Sequence, residues 1–315
     1  MRRAGRNPNP AAAAWTGVWV VDKPPDCSSL DVIRAIKAWV GPLKMGHTGT
    51  LDPMATGVLP VLVGSATKLL NFLHLEPKRY RGAMELGVET DSWDATGRVV
   101  SRNPWLGLAT DRIETTFAAL VGRQLLQPPV FSAIKYQGRP LYSYARRGLP
   151  VLPAARPVTI QSLTLLKRTA ARLDFEIACS RGTYVRAVVR EVGSRLGCGA
   201  CLVSLRRLQC GPFALEHSFS LEHLKSVYES GRIAEALIPP SKLLEHLRSF
   251  EVDEQSEERV RQGNSLRRAP PEDPAPEGGE IGEPVRVLAR GRLVAVAELR
   301  RDAQGFLLQP IRVLE

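Results

Sequence analysis

Cysteine is scarce: Cys27, Cys179, Cys198, Cys201 and Cys210 are the five in 315 residues, and their spacing builds no disulfide framework. That pattern fits a reducing cytosol. Cys198 and Cys201 form one C-x-x-C. Zinc wants a second ligand pair at a matching spacing, and none is present, so both read as small core residues and no metal site is expected. No apolar run is long enough to span a bilayer, so no membrane partner is expected. There is no P-loop and no G-x-G-x-x-G cradle for a nucleotide, and no internal repeat. The first fifteen residues contain no acid, but "NPNPAAAAW" is not the apolar core of a signal peptide. A weak organelle-type presequence is one reading of residues 1–15; a disordered basic extension is the expected one.

What the chain does have is positive charge. Its formal net charge is +11 and its pI is near 9.8. That balance favours a polyanionic partner, of which nucleic acid is the commonest. Hydrophobic residues make up 44%, enough for a packed core. The length suits one large domain, or a large one with a small companion.

Periodicity gives a coarse order of elements. "GVWVVDK" at 17–23 reads as a buried strand. Ser28 or Ser29 then caps a helix with Leu30, Ile33, Ile36, Trp39 and Val40 on its apolar face. A strand is expected at 58–63, a short helix marked by Ala66, Leu69, Leu70 and Leu73, and a strand at 80–86. A helical stripe follows at Ile113, Phe117, Leu120 and Val121. Residues 127–148, "QPPVFSAIKYQGRPLYSYARRG", are basic and aromatic with little periodicity; loops of that length are usually functional or mobile. Strands at 158–167 and 172–179, a helix at 183–196, the strand "CLVSLRRL" and a helix opened by Ser220 complete the main part. The pattern indicates an α+β fold with an antiparallel or mixed sheet. Composition shifts near Arg248. Residues 268–284 are rich in Pro, Gly and Glu and are expected to form a flexible loop. Two strand-like runs after it suggest a small β module over 249–315.

The stretch "GHTGTLDPMATGVLPVLVG" at 46–64 holds one carboxylate, Asp52, before a proline that drives its backbone extended. Glycines at 46, 49 and 57 permit tight turns and close approach of a ligand. A lone acid on a stiff loop at the mouth of a core is either a catalytic group or an Asx-turn aspartate.

Distant pieces decide between these. "DKP" at 22–24, "GHTGTLDPMATGVL" at 46–59, "KRYR" at 78–81, "SRGTYVRAVVREVG" at 180–193 and "LRR" at 205–207 stand in one order. Together they resemble the TruB family of tRNA pseudouridine synthases, which modify uridine 55 in the T-loop. "PPVFSAIKYQGRPLYSYAR" is similar to that family's RNA-clamping thumb. The resemblance covers about 17–244 and weakens after Arg248, where the tail looks like a small PUA-type RNA-binding domain. It implies a pseudouridine synthase-like catalytic domain over 16–248, with the thumb at about 127–148, and a PUA-like module over 249–315.

The reaction breaks a C–N glycosidic bond and forms a C–C bond without gain or loss of atoms, so no cofactor is expected. It needs an anionic nucleophile, a base for the proton on carbon, and access to a stacked nucleotide. By the resemblance, Asp52 is the nucleophile and Arg186 its partner, and a guanidinium suits a carboxylate geometrically. Tyr80 stacks on the target base, and its phenol is a candidate general base. Tyr184 and Leu205 line the pocket, and Lys23 supports the aspartate loop. His47 fills the gap left when the base is turned out, which offsets part of the few kcal/mol of lost stacking. Lys135, Arg139, Arg146 and Arg147 are expected to hold RNA phosphates. One departure is Asp26, near which many relatives have glycine. Taken singly, Arg186 reads as a surface arginine on an amphipathic helix, Tyr80 as a core aromatic and Lys23 as a solvated strand end. The expected protein is a monomeric, cytoplasmic enzyme acting on tRNA without a guide. The alternatives are an RNA-binding or tRNA-folding factor with a minor catalytic role, and a guide-directed relative acting on ribosomal RNA. A glycosidase lacks a second catalytic carboxylate at a supported site.

Overall fold

The computed structural model describes residues 15–149, 151–268, 281–302 and 305–314. The extension expected over 1–15 lies outside the described residues except for Trp15, which packs into the core rather than belonging to a tail. Residues 269–280 of the loop expected at 268–284 also lie outside them.

Strand β1 (Gly17–Lys23) shows how the main sheet is built. Alternation sends Trp19 and Val21 to one face and Val18 and Val20 to the other, and both faces are buried in separate clusters. Helix α1 (Ser29–Val40) starts with a capping box between Ser28 and Asp31. Its buried stripe is Val32, Ile33, Ile36 and Val40. Leu30, expected on that stripe, is 54% exposed because the stripe runs through 32, 36 and 40 and leaves it to one side.

Strands β2 (Met45–His47) and β3 (Thr56–Val63) flank the Asp52 loop and pair antiparallel, with His47 opposite Val61. The expected short helix is a 3-10 helix, Gly64–Phe72, and Leu70 on it is exposed. Next come β4 (Lys78–Leu86), the ribbon β5 (Val88–Thr90) and β6 (Val99–Arg102), α2 (Thr110–Ala118) and β7 (Gly122–Leu126). Ile113, Phe117 and Leu120 are buried, whereas Val121 is exposed because the helix has already ended.

The segment expected as a long loop is partly ordered. β8 (Lys135–Tyr136) and β9 (Arg139–Pro140) form a tight hairpin, and α3 (Leu141–Ala145) follows. Gln137 and Gly138 supply the two positive φ angles of its two-residue turn. β10 (Arg156–Thr169), β11 (Arg172–Cys179), α4 (Val185–Leu196), β12 (Ala200–Cys210), β13 (Phe213–Ala214) and α5 (Leu221–Glu229) complete this part.

The central sheet has the order β1-β3-β12-β4-β11-β10-β7, with β2 and β13 at its margins. β12 runs parallel to β3 and antiparallel to β4, which makes the sheet mixed, as expected for the α+β class. At the parallel join Gly57 lies against the Arg207 carbonyl with φ +99°, a contact that leaves no room for a side chain.

After α6 (Pro240–Leu243) come β14 (Ser249–Glu251), α7 (Glu254–Arg261), β15 (Leu266–Arg268), β16 (Pro284–Ala289), β17 (Arg292–Asp302) and β18 (Gly305–Val313). The five strands form one sheet in the order β14-β16-β17-β18-β15. Leu293, Val296 and Leu314 of this module share a core with Val18, Val20, Val58 and Leu62 of the central sheet.

Candidate active site

The loop around Asp52 is pinned from several sides. Leu51 is buried, its N–H donates to Ser29 Oγ at 2.9 Å, and the same hydroxyl donates to the Leu51 carbonyl at 3.3 Å. The Ala55 N–H donates to the Asp52 carbonyl at 3.0 Å. On the far side of Asp52, Lys23 Nζ donates to the carbonyls of Pro53 at 3.1 Å, Pro24 at 2.7 Å and Cys27 at 2.7 Å. Lys23 is therefore fully buried and not the solvated strand end that the residue alone suggests. Burial pushes its pKa down, and the charges of Cys27, Asp26 and Asp52 oppose that shift. The turn that Lys23 holds survives the departure at Asp26, which takes φ +58°, a left-handed conformation that aspartate tolerates.

Arg186 enters from the first turn of α4 and meets Asp52 with a two-pronged contact. Nε donates to Oδ2 at 2.8 Å and Nη2 to Oδ1 at 2.7 Å. Its remaining donors go to the Ser92 carbonyl at 2.9 Å and the Phe131 carbonyl at 3.0 Å. The Arg186 side chain is 4% exposed while that of Asp52 is 30% exposed. The guanidinium is thus sealed in protein, and the carboxylate is left open on one side. A bidentate, charge-assisted pair of this kind holds a carboxylate in a fixed plane.

A further acid stands behind the pair. Asp94 Oδ2 lies 3.5 Å from Arg186 Nη1, and its Oδ1 accepts from Ser92 Oγ, Thr96 N and Thr96 Oγ1 at 2.8, 3.0 and 2.6 Å. Sequence reading missed Asp94. The signal available was the polar run "DSWDATG", whose side chains cap their own turn. Asp94 is buried and spent on these partners, so it does not serve as the second, solvent-facing carboxylate of a glycosidase.

Tyr80, His47 and Leu205 stand on β4, β2 and β12 of the sheet whose β2–β3 loop carries Asp52. Tyr80 is buried on β4, and its phenol is pushed up to about 12 by burial, with the neighbouring Arg207 guanidinium opposing the shift. The hydroxyl is therefore protonated at neutral pH in the free protein. Burial also raises the Tyr184 phenol; the Ser132 hydroxyl opposes this and the Asp52 charge adds to it, which places Tyr184 beside the pair. Leu205 is buried on β12, next to Gly82 of β4. His47 is half-buried, its Nδ1 has no partner, and burial together with the Arg207 charge lowers its pKa, so the ring is neutral at pH 7. Lys135, Arg139, Arg146 and Arg147 are exposed on the hairpin and short helix. That piece is braced by Tyr136 edge-on to Tyr144 at 5.8 Å and by Arg146 over Tyr142 at 5.4 Å. Its base reaches the pair directly through the Phe131 carbonyl.

Cys198 and Cys201 are buried packing residues. Among the described residues no cluster of His, Cys, Asp and Glu is placed to hold a metal. No described helix is long and apolar enough to cross a membrane. A surface groove between α2 and β10, lined by Glu114, Phe117 and Leu163 among others, shares no residue with the Asp52 site.

The family description "TruB family pseudouridylate synthase (N terminal domain)" matches residues 37–185, and "tRNA pseudouridylate synthase B C-terminal domain" matches residues 186–252. A Geobacter sulfurreducens protein named tRNA pseudouridine synthase B is 42% identical over 282 residues, covering 90% of this chain and 93% of that one. A Dechloromonas aromatica protein of the same name is 38% identical over 299 residues, 95% of each chain. Among solved structures, a chain in "Structure of H/ACA RNP bound to a substrate RNA containing 2'-deoxyuridine" superposes with TM-score 0.70 at 24% identity, over 95% of this chain and 85% of that chain. At that identity the likeness shows the fold, and its coverage takes in both the central sheet and the C-terminal β module.

Proposed function

The chain belongs to the TruB family of pseudouridylate synthases, and from that premise we propose that it isomerises uridine 55 in the T-loop of tRNA to pseudouridine, with Asp52 as nucleophile and no guide RNA. The observation that carries the reading is the Asp52–Arg186 contact: a carboxylate fixed against a guanidinium, open on one side, on a pinned loop. A cleft that only bound or folded RNA would gain nothing from an anion there, because RNA is itself anionic. The guide-directed alternative is not favoured, since relatives near 40% identity that span most of the chain are named tRNA pseudouridine synthase B.

In this reading the target uridine leaves the stack, and its base lies against Tyr80 between Leu205 and Tyr184. Asp52 attacks the bound nucleoside, and the N–C glycosidic bond breaks. The freed base turns, its C5 carbon bonds to the sugar as the bond to Asp52 is given up, the C5 proton is removed and N1 takes up a proton, so the product has the composition of the substrate. Arg186 stabilises the carboxylate before attack and after its release. The phenol of Tyr80, protonated in the free protein, is the candidate relay for the final proton transfer, giving its own proton to water as it receives the one from carbon. His47, neutral and half-buried, occupies the gap in the T-loop. The four thumb cations hold phosphates. The catalytic domain takes in 16–248 and the PUA-like module 249–315, and the enzyme works as a monomer in the cytoplasm.

Incubating the purified protein with unmodified tRNA alone and mapping pseudouridine tests the reading. Conversion at position 55 without guide, protein partner or cofactor is expected. Absence of conversion, with tRNA still bound, would favour the RNA-folding alternative.

A further inference from the structure

Beside the Asp52 loop two cations lack counter-ions. Arg207 is fully buried; its Nε donates to the Val58 carbonyl at 2.6 Å and its Nη2 to the Gly49 carbonyl at 3.3 Å, but Nη1 has no partner. Lys78 Nζ makes no hydrogen bond or ion pair among the described residues. Both groups point at one spot. A methyl group built on Gly49 would lie 3.1 Å from Lys78 Nζ and 3.9 Å from Arg207 Nη1. The charged neighbour Arg181 adds a third positive charge, and the acidic groups facing Lys78 are the thiols of Cys179 and Cys210. Burial pushes the Cys179 thiol up to about 11, so it is not an anion at neutral pH. A cation as fully withdrawn from water as Arg207 is normally paired within the protein. Here the missing partner is an anion from outside, and the space for it is the side chain that Gly49 does not have.

The position of that space says which anion. Lys78 lies two residues before Tyr80 on β4, so both side chains leave the same face of the strand. Gly49 lies between His47 and Asp52 on the loop. A nucleotide turned out of its stack, with His47 in the gap and its base against Tyr80, must carry its sugar–phosphate backbone between those two points. We propose that Lys78 and Arg207, with the space at Gly49, form a phosphate subsite that takes a phosphodiester flanking the turned-out nucleotide; this rests on the RNA-isomerase reading and deepens it. The two non-bridging oxygens of a phosphodiester match one ammonium and one guanidinium N–H. Gly49 and Lys78 are partly exposed and Thr50 beside them is exposed, which opens the Lys78 side of the spot to solvent, while Arg207 Nη1 lies buried behind it. Binding there is available only to the flipped state, so the subsite would hold the nucleotide out as well as add affinity.

The test pairs a protein change with an RNA change. T-stem-loops carry a neutral methylphosphonate at the linkage 5′ or 3′ to the target uridine, or in the distal stem as a control. With wild-type protein, one of the two flanking linkages should lower kcat/KM about ten- to a hundredfold, the range of one lost charged hydrogen bond. Lys78→Met should lose a similar factor on native RNA and lose little more on that methylphosphonate RNA. Lys78→Arg should recover part of it. If Lys78→Met melts early, Gly49→Ala carries the same test, because its methyl fills the phosphate position and asks only a shift of a few tenths of an ångström from the end of the Lys78 side chain. Losses that multiply, or flanking linkages that matter no more than the distal one, overturn the subsite. Conversion of native RNA by wild-type protein separates this proposal from the reading beneath it. No conversion defeats both, whereas conversion with multiplying losses defeats the subsite alone.

Discussion

Lys23 donates a hydrogen bond to the carbonyl of Pro53, 3.1 Å away, and so ties the end of the first strand to the residue that follows Asp52. The same ammonium closes the turn at Pro24 and Cys27. Lys23→Met keeps most of the volume but leaves three carbonyls without their donor. A stability loss of about 2 kcal/mol is expected, together with a fall in kcat larger than any change in KM, because the aspartate loop loses its anchor. Thermal melts and single-turnover kinetics check this; a variant that is less stable but turns over normally would make Lys23 a purely structural residue.

Asp52→Asn should abolish turnover while tRNA binding stays near the wild-type level. An amide keeps the shape of the side chain but supplies no anion. The fold should tolerate the change because Arg186 retains Asp94 at 3.5 Å and two carbonyl partners. Substantial pseudouridine formation by this variant would remove Asp52 from its role.

Asp94→Asn should weaken catalysis without ending it, by about tenfold in kcat. The guanidinium would lose one of its two anionic neighbours, a change on the scale of one charged hydrogen bond, while its bonds to Asp52 remain. A rate equal to wild type would show that Asp94 only caps its own turn.

Tyr80→Phe separates stacking from proton transfer, and it also makes a prediction about pH. The phenol is raised to about 12 in the folded protein, against an ordinary value near 10. Above pH 10 the unfolded chain gives up this proton while the folded one keeps it, so the stability contributed by the neutral phenol is present below pH 10 and is lost as pH rises to 12. Denaturant titrations across that range should show a smaller loss for Tyr80→Phe than for wild type. In assays near neutral pH the variant should still bind the RNA, and a wild-type rate would leave Tyr80 only its stacking role.

Replacing Lys135, Arg139, Arg146 and Arg147 with glutamine should flatten the salt dependence of tRNA binding. Each phosphate contact removed lowers the logarithmic slope by roughly 0.7 to 0.9. Catalysis at saturating RNA should change little, since these side chains stand on the exposed hairpin and short helix while Arg186 takes only the Phe131 carbonyl from the segment's base. An unchanged slope would place the RNA elsewhere.

A chain ending at Leu247 should keep isomerising a minimal T-stem-loop, with KM for full tRNA raised more than kcat falls. It should also melt at a lower temperature, because Val18, Val20 and Leu62 lose the cover of Leu293, Val296 and Leu314. Arg286, one of the basic residues of this module, holds the Leu247 and Ser241 carbonyls at 3.0 Å each, so it joins the module to the main part and is not free for phosphate. A well-folded truncation without activity on either RNA would make the module part of the active machinery.

Local pattern alone determined much of this protein. An apolar run marked the strand at 17–23, helical spacing with a serine cap marked α1, helical spacing alone marked α4, and the resemblance of the ordered motifs to a family brought out Asp52, Tyr80 and Arg186. These signals are local: a side chain's preference for one face or one cap is written within a few residues of it. Tertiary structure decided the rest. Lys23 reads as a solvated strand end until the chain returns to place Pro53 over it, and Leu30 reads as core until the packing partner selects the adjacent stripe. Asp94 shows in the sequence only as part of a polar turn, and Arg207 only as the last residue of "LRR". What each meets in space, the Arg186 guanidinium for Asp94 and the Lys78 ammonium for Arg207, is set by elements far apart in the chain, and the energy of a buried charge depends on which groups surround it in space rather than on its neighbours in sequence.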